Sequence, residues 1–95
     1  MLITKEFLKM NGFTPISENN STSIKKLEED FDYILIYCEN YYIAVRQVRE
    51  NLWNAHVQGD SGNYDGGIVD VEHLKKVLFA CSMDKLVNEL KIEIK

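Results

Sequence analysis

Residues 33–58, YILIYCENYYIAVRQVRENLWNAHVQ, decide the fold of this chain. Three runs rich in β-branched, aromatic and other apolar residues follow one another, at 33–38, 42–48 and 52–58. Such residues favour strands. The polar pairs Glu39-Asn40 and Glu50-Asn51 leave room only for tight turns between the runs, and strands joined by connections this short are antiparallel neighbours. The stretch therefore predicts an antiparallel meander.

The third run alternates in a way that predicts which side of the sheet is buried. Trp53, Ala55 and Val57 fall on one face of the strand, while the polar residues between them fall on the other. Since successive side chains of a strand point to opposite faces, the tryptophan is expected in the core and His56 on the wetter face.

Helices are predicted before and after the meander in the sequence. Thr4 suits the N-cap of a first helix, Ile3 and Leu8 suit a hydrophobic staple, and Asn11-Gly12 ends the helix. Asp70 suits the N-cap of a second helix, whose apolar positions form one stripe: Val71, Leu74, Val77, Leu78 and Cys81. A further short helix is predicted over 83–90.

Three weaker patterns complete the expected fold. A short helix is predicted over 24–31, a glycine-rich loop over 59–67 leads to a brief edge strand at 68–69, and the alternation over 91–95 suits a final strand. The expected class is α+β: a three- to four-stranded antiparallel meander packed against an N-terminal helix and C-terminal helices. Residues 1–95 are expected to form a single domain.

Composition excludes several classes of function. Hydrophobic residues make up 45% of the chain and charged residues 27%, as in ordinary globular proteins. The net charge is −4 and the basic residues are scattered, which argues against binding to nucleic acid or to an anionic membrane surface. No apolar run approaches the ~20 residues of a membrane span. With two cysteines expected to be reduced and no secretory leader, the chain is expected to be cytoplasmic.

Several motifs resemble those of a group of small uncharacterised proteins from gut-bacterial genomes, prophages and conjugative elements. The matching stretches are LKMNGF at 8–13, WNAHV at 53–57, VEHLKKVL at 71–78 and CSMDKLVNELKI at 81–92. Members of the group carry a W-x-V-x-V strand followed by a V-x-x-L-Q-x-L-L-R-L-C-G helix. The resemblance implies an α+β fold and no activity. Ser82 stands where the group has glycine, which predicts a weaker break after the second helix.

The alternative function is a metal- or ligand-binding domain that uses the glycine-rich loop 60–72. Counted from Ser61, the stretch matches much of a calcium loop, with Asn63, Asp65 and Glu72 at ligand positions. A strand rather than a helix precedes it, however, and a flexible turn feeding a capped helix explains the same residues. Four residues, Cys38, His56, His73 and Cys81, lack the paired spacing of a zinc site. No cofactor is expected.

Tyrosines supply the main functional hypothesis. Tyr33 and Tyr37 share a face of the first strand, and Tyr42 is expected to join them on a sheet face that the helices leave open. Tyrosine suits exposed strands in any protein, but it is also enriched at interfaces. No nucleophile elbow, phosphate loop or dinucleotide fingerprint is present. We therefore expect a non-enzymatic protein–protein interaction module, binding an unknown partner or a second copy of itself.

Overall fold

The described part of the chain is an antiparallel sheet with three α-helices and one 3₁₀ turn. This is a computed structural model, and it describes residues 2–18, 30–38, 41–50 and 52–91. The helices are α1 (Lys5–Met10), α2 (Val71–Ala80) and α3 (Asp84–Glu89). The strands are β1 (Thr14–Pro15), β2 (Tyr33–Cys38), β3 (Tyr41–Arg49), β4 (Leu52–Gln58) and β5 (Asn63–Ile68). The 3₁₀ turn, Ile16–Glu18, follows β1.

The strands lie side by side in the order β1-β2-β3-β4-β5, and every neighbouring pair is antiparallel. The predicted class, α+β with an antiparallel sheet, is therefore confirmed. The predicted number of three to four strands is wrong, because the described residues form five. The short β1 was not predicted at all, since two residues cannot show a period.

The largest correction concerns β5, which occupies most of the stretch predicted as a loop. Pairing with Trp53 to Gln58 of β4 holds the sequence NYDGGI as a strand. Gly66 has a specific role there, because a Cβ at this position would lie 3.1 Å from the Tyr64 hydroxyl oxygen. The Tyr64 ring thus passes over Gly66, and its hydroxyl donates to the Gly67 carbonyl at 2.6 Å. Gly66 is therefore needed because the Tyr64 ring occupies the space of a side chain, and not because the backbone turns there.

One face of the sheet carries the main core. Side chains of β3 and β4 on this face, including Ile43, Val45 and Trp53, form one buried cluster with side chains of all three α-helices. The Trp53 indole nitrogen donates to the Ile3 carbonyl at 3.1 Å, which attaches the segment before α1 to the middle of the sheet. Burial of this apolar face is the main favourable term in the stability of the fold.

The predicted helix ends are confirmed. The Thr4 hydroxyl accepts from the Phe7 amide at 3.1 Å, and the Asp70 carboxylate accepts from the His73 amide at 2.7 Å. Gly12 has a φ of 89°, which places it in the left-handed region beyond the end of α1. The 83–90 helix is present as α3. No helix among the described residues is both long enough and apolar enough to cross a membrane.

Two predicted elements cannot be compared with the structure. Most of the predicted helix over 24–31 and of the predicted strand over 91–95 lies outside the described residues. Of these stretches, Asp30, Phe31 and Lys91 are described, and they belong to no helix or strand.

Ser82 ends α2 in the left-handed conformation that glycine usually takes. Its φ is 61°, and the Met83 amide donates a hydrogen bond to the Leu78 carbonyl at 2.9 Å. The helix therefore ends at the expected place in spite of the steric cost that serine carries in this conformation. That cost is about 1 kcal/mol for a residue with a Cβ.

We expect Ser82→Gly to raise the free energy of unfolding by about 1 kcal/mol, since glycine removes the left-handed penalty. Urea denaturation followed by tryptophan fluorescence measures the change. The Ser82 hydroxyl also contacts the Ser61 hydroxyl, so Ser61→Ala is the matched control for losing that contact alone. A Ser82→Gly protein that is less stable than the Ser61→Ala protein would contradict the claim that the left-handed backbone of Ser82 is strained.

Candidate functional site

The candidate site is the side of the sheet opposite the main core, called here the second face. Strand register places rows of cross-strand neighbours on it. One row runs through Thr14, Ile34, Ala44, His56 and Asp65, and the next through Ile36, Tyr42, Gln58 and Asn63. Among the described residues, Ile16, Phe31 and Tyr42 pack around the buried pair Ile34 and Ala44.

The three tyrosines of the predicted interface do not share one face. Tyr33 and Tyr37 lie together, as predicted, but both pack against the main core under the helices. Tyr42 lies on the second face, opposite Ile36. The prediction of a single face bearing all three tyrosines is therefore wrong.

A β-bulge explains how Tyr42 comes to the second face. Cys38 pairs with Tyr41, and a regular continuation of this register would pair Tyr37 with Tyr42. The register shifts between Ile36 and Cys38, so Ile36 pairs with Tyr42 instead. A shift of one residue moves a side chain to the opposite side of the sheet. Because of the bulge, Tyr42 is separated from Tyr33 and Tyr37.

Apolar and aromatic groups meet on the β2–β3 side of the second face. Ile36 is 43% exposed, and its cross-strand neighbour, Tyr42, is half-buried. The centroid of the His56 ring lies 5.7 Å from that of the Tyr42 ring and 6.0 Å from that of the Phe31 ring. Burial raises the pKa of the Tyr42 phenol, because desolvation disfavours the phenolate.

Polar and charged groups occupy the β4–β5 side of the same face. His56 Nδ1 is 3.8 Å from an Asp65 carboxylate oxygen. A shallow depression of about 140 Å³ beside this pair is lined by Asp30, Phe31, Arg46, Asn54 and Asp65. The second face therefore presents an apolar strip next to side chains of both charge signs.

The residues of the predicted calcium loop belong to different elements. Asn63 and Asp65 lie on β5, where pairing with Gln58 and His56 directs them to the second face. Glu72 lies in the first turn of α2, with a carboxylate oxygen 3.9 Å from the Lys75 ammonium. The described residues contain no group of three or more side chains placed to hold a metal ion. The loop conformation on which this prediction depended is wrong, because the stretch is a strand.

Three of the four predicted cysteine and histidine candidates, His56, His73 and Cys81, are likewise dispersed, and the side chain of Cys38 lies outside the described part of the structure. His56 is on the second face, whereas the free thiol of Cys81 is buried in the main core across the sheet. Burial raises the pKa of the Cys81 thiol, which disfavours the reactive thiolate. His73 packs edge-on against the Tyr64 ring, at 6.4 Å.

None of the large apolar side chains that are exposed in the described part of the chain was among the sequence-predicted sites: Leu2, Ile36, Val48, Val69 and Phe79. Ile36 was assigned to the sheet without a role, and Phe79 was left out of the apolar stripe of α2. Phe79 is 65% exposed, and the neighbouring Leu78 takes the buried position. An aromatic residue just outside a helical stripe was the available signal for it.

Single exposed apolar residues are common in proteins, so Phe79 alone indicates no site. Ile36 differs, because it lies opposite Tyr42, which packs against the small buried cluster of the second face.

Comparison with models of known families, with curated proteins and with solved structures finds no match to this chain.

Proposed function

We propose that this chain is a small non-enzymatic protein–protein interaction module that pairs with a second copy of itself through the second face of the sheet. The observation that carries the proposal is the 43% exposure of Ile36 beside the half-buried Tyr42 ring. Full burial of a side chain of this size contributes about 1.5–3 kcal/mol, so burial of the part of Ile36 that is still exposed contributes about 1 kcal/mol. Contact with another protein removes that apolar surface from water.

The charges around the strip suit a contact between identical surfaces. In a two-fold dimer the same patch faces itself, so a patch that carries both signs can place cation against anion across the axis. Arg46 and Asp65 are both exposed on the second face and are of opposite charge. Arginine and tyrosine are also the residue types that contribute most often to interface energy.

The remaining parts of the proposal follow from composition. With a net charge of −4, neither nucleic acid nor an anionic membrane is the proposed partner. A cytoplasmic location and an origin in mobile genetic elements stay predictions, the second from the resemblance alone. No observation on the described residues favours the alternative metal-binding function.

We expect Ile36→Asp to weaken self-association by at least about tenfold, because it replaces the apolar contact by a charge that must be desolvated. Sedimentation equilibrium over a wide concentration range measures the dissociation constant. Phe79→Asp is the matched control, since it makes the same kind of change at a more exposed apolar side chain away from the second face. The control should associate like the wild type.

Two outcomes would remove the proposal. A wild-type protein that sediments as an ideal monomer at every concentration does not pair with itself. A dimer disrupted by Phe79→Asp and unchanged by Ile36→Asp uses the surface of α2.

A further inference from the structure

The end of α1 carries Asn11-Gly12, the one place in the sequence where glycine directly follows asparagine. Asparagine is among the chemically least durable residues of proteins. The backbone nitrogen of the next residue can attack its side-chain amide, and glycine has no side chain to hinder that attack. Gly12 is also exposed to solvent. The pair is therefore a candidate site of spontaneous deamidation.

The folded backbone keeps the two reacting groups of this pair apart. The Gly12 amide donates to the Lys9 carbonyl at 3.1 Å, so its proton is held in a hydrogen bond. Ring closure also needs the Asn11 Cβ and the Gly12 nitrogen on the same side of the Asn11 Cα–C bond. The observed ψ of Asn11 is 14°, and the bond must rotate far from this value before the ring can close.

Hydrogen bonds hold the Asn11 side chain in place as well. Its amide nitrogen donates to the Phe7 carbonyl and to the Lys91 carbonyl, both at 2.9 Å, and its oxygen accepts from the Lys91 amide at 2.6 Å. Both amide hydrogens therefore have acceptors. Lys91 follows the end of α3, so the contact joins the ends of two helices.

We propose that Asn11 is a deamidation site whose reaction the fold suppresses through the contact with Lys91, so that conversion follows separation of the two helix ends. The Gly12 nitrogen loses its proton to a solvent base and attacks the Asn11 Cγ. The new C–N bond closes a succinimide ring, and the bond from Cγ to Nδ2 breaks with release of ammonia. Water then opens the ring at either carbonyl, which gives aspartate or isoaspartate.

The products cannot restore the contact that held the asparagine. A carboxylate accepts hydrogen bonds and donates none. A negative oxygen would therefore face the Phe7 and Lys91 carbonyls in place of the amide nitrogen. Isoaspartate also adds one carbon atom to the backbone. Conversion thus changes the joint between α1 and α3 irreversibly.

Peptide mapping of the full chain by mass spectrometry tests the inference, because fragment masses locate conversion at Asn11. At mildly alkaline pH, we expect Asn11 to convert at least about tenfold more slowly in the folded protein than in urea. Asn11→Asp, which reproduces one product, should unfold at a lower urea concentration than the wild type.

Two variants of Lys91 test the contribution of its backbone. Lys91→Pro removes the amide donor, and the preceding Leu90 already has the extended backbone that suits a proline, with a ψ of 129°. Conversion in the folded variant should be about fivefold faster, as expected for one lost hydrogen bond. Lys91→Ala, the matched control, keeps both backbone groups and should convert at the wild-type rate. Fluorescence of the buried Trp53 shows whether each variant remains folded.

Three results would overturn the inference. Equal rates in the folded and urea-unfolded wild type would show that the fold gives no protection. Equal rates in folded Lys91→Pro and Lys91→Ala would show that the Lys91 amide does not provide it. An Asn11 that stays unconverted in urea is not a deamidation site.

Discussion

Replacing Trp53 with alanine should lower the free energy of unfolding by about 3–5 kcal/mol, the range measured for large aromatic residues in cores. The side chain is 1% exposed and lies in the centre of the cluster that joins the sheet to the helices. Its indole also supplies the donor to the Ile3 carbonyl. Urea denaturation followed by far-ultraviolet circular dichroism measures the loss without relying on the tryptophan itself.

Trp53→Phe separates the two contributions of this side chain. Phenylalanine keeps much of the ring volume but leaves the Ile3 carbonyl without its donor, and the loss should be about 1–3 kcal/mol. A Trp53→Ala protein destabilised by less than about 1 kcal/mol would contradict the placement of Trp53 in the core.

Gly59→Ala should cost about 3 kcal/mol of stability, because it forces backbone atoms apart. A Cβ at Gly59 would lie 2.2 Å from the Cys81 carbonyl oxygen and 2.6 Å from the Cys81 Cβ. The carbonyl belongs to the backbone at the end of α2 and cannot rotate away as a flexible side chain can. Gly59 belongs to the turn that joins β4 to β5. This turn can contact the end of α2 so closely only with glycine at this position.

Gly62→Ala, in the same turn, is the matched control. A Cβ there meets the Ala80 carbonyl oxygen at 3.4 Å and the Cys81 Cα at 3.6 Å, which are ordinary contacts. We expect a change of less than about 1 kcal/mol. Thermal unfolding of the two variants side by side measures the difference, and equal stabilities would contradict the close approach of the turn to α2.

The helix ends could be predicted from the sequence because their signals are local. The Thr4 and Asp70 side chains each accept from an amide three residues later, so a pattern of neighbouring residues contains the whole interaction. The same holds for the three central strands, whose turns are too short for any other connection.

β5 could not be predicted because the interactions that stabilise it are not local. Its sequence has the asparagine, aspartate and glycine content of a loop, and β4 supplies the pairing that makes it a strand. The ring of Tyr64 over Gly66 is also visible only in three dimensions.

The candidate site was predicted only in part, for a reason that lies in β2. This strand is apolar on both sides, so its pattern does not show which side faces the helices. The bulge before Cys38 then moves Tyr42 away from Tyr37, and nothing in the sequence marks a bulge there. Tyr42 lies on the second face beside Ile36, which was not among the predicted residues.

The most direct test of the proposed interface is a dilution series of the wild-type protein followed by amide chemical shifts. The proposal predicts that the shifts that change with concentration cluster at Ile36, Tyr42 and His56, and that those around Phe79 stay constant. Changes confined to α2, or spectra that are identical at all concentrations, would contradict an interface on the second face of the sheet.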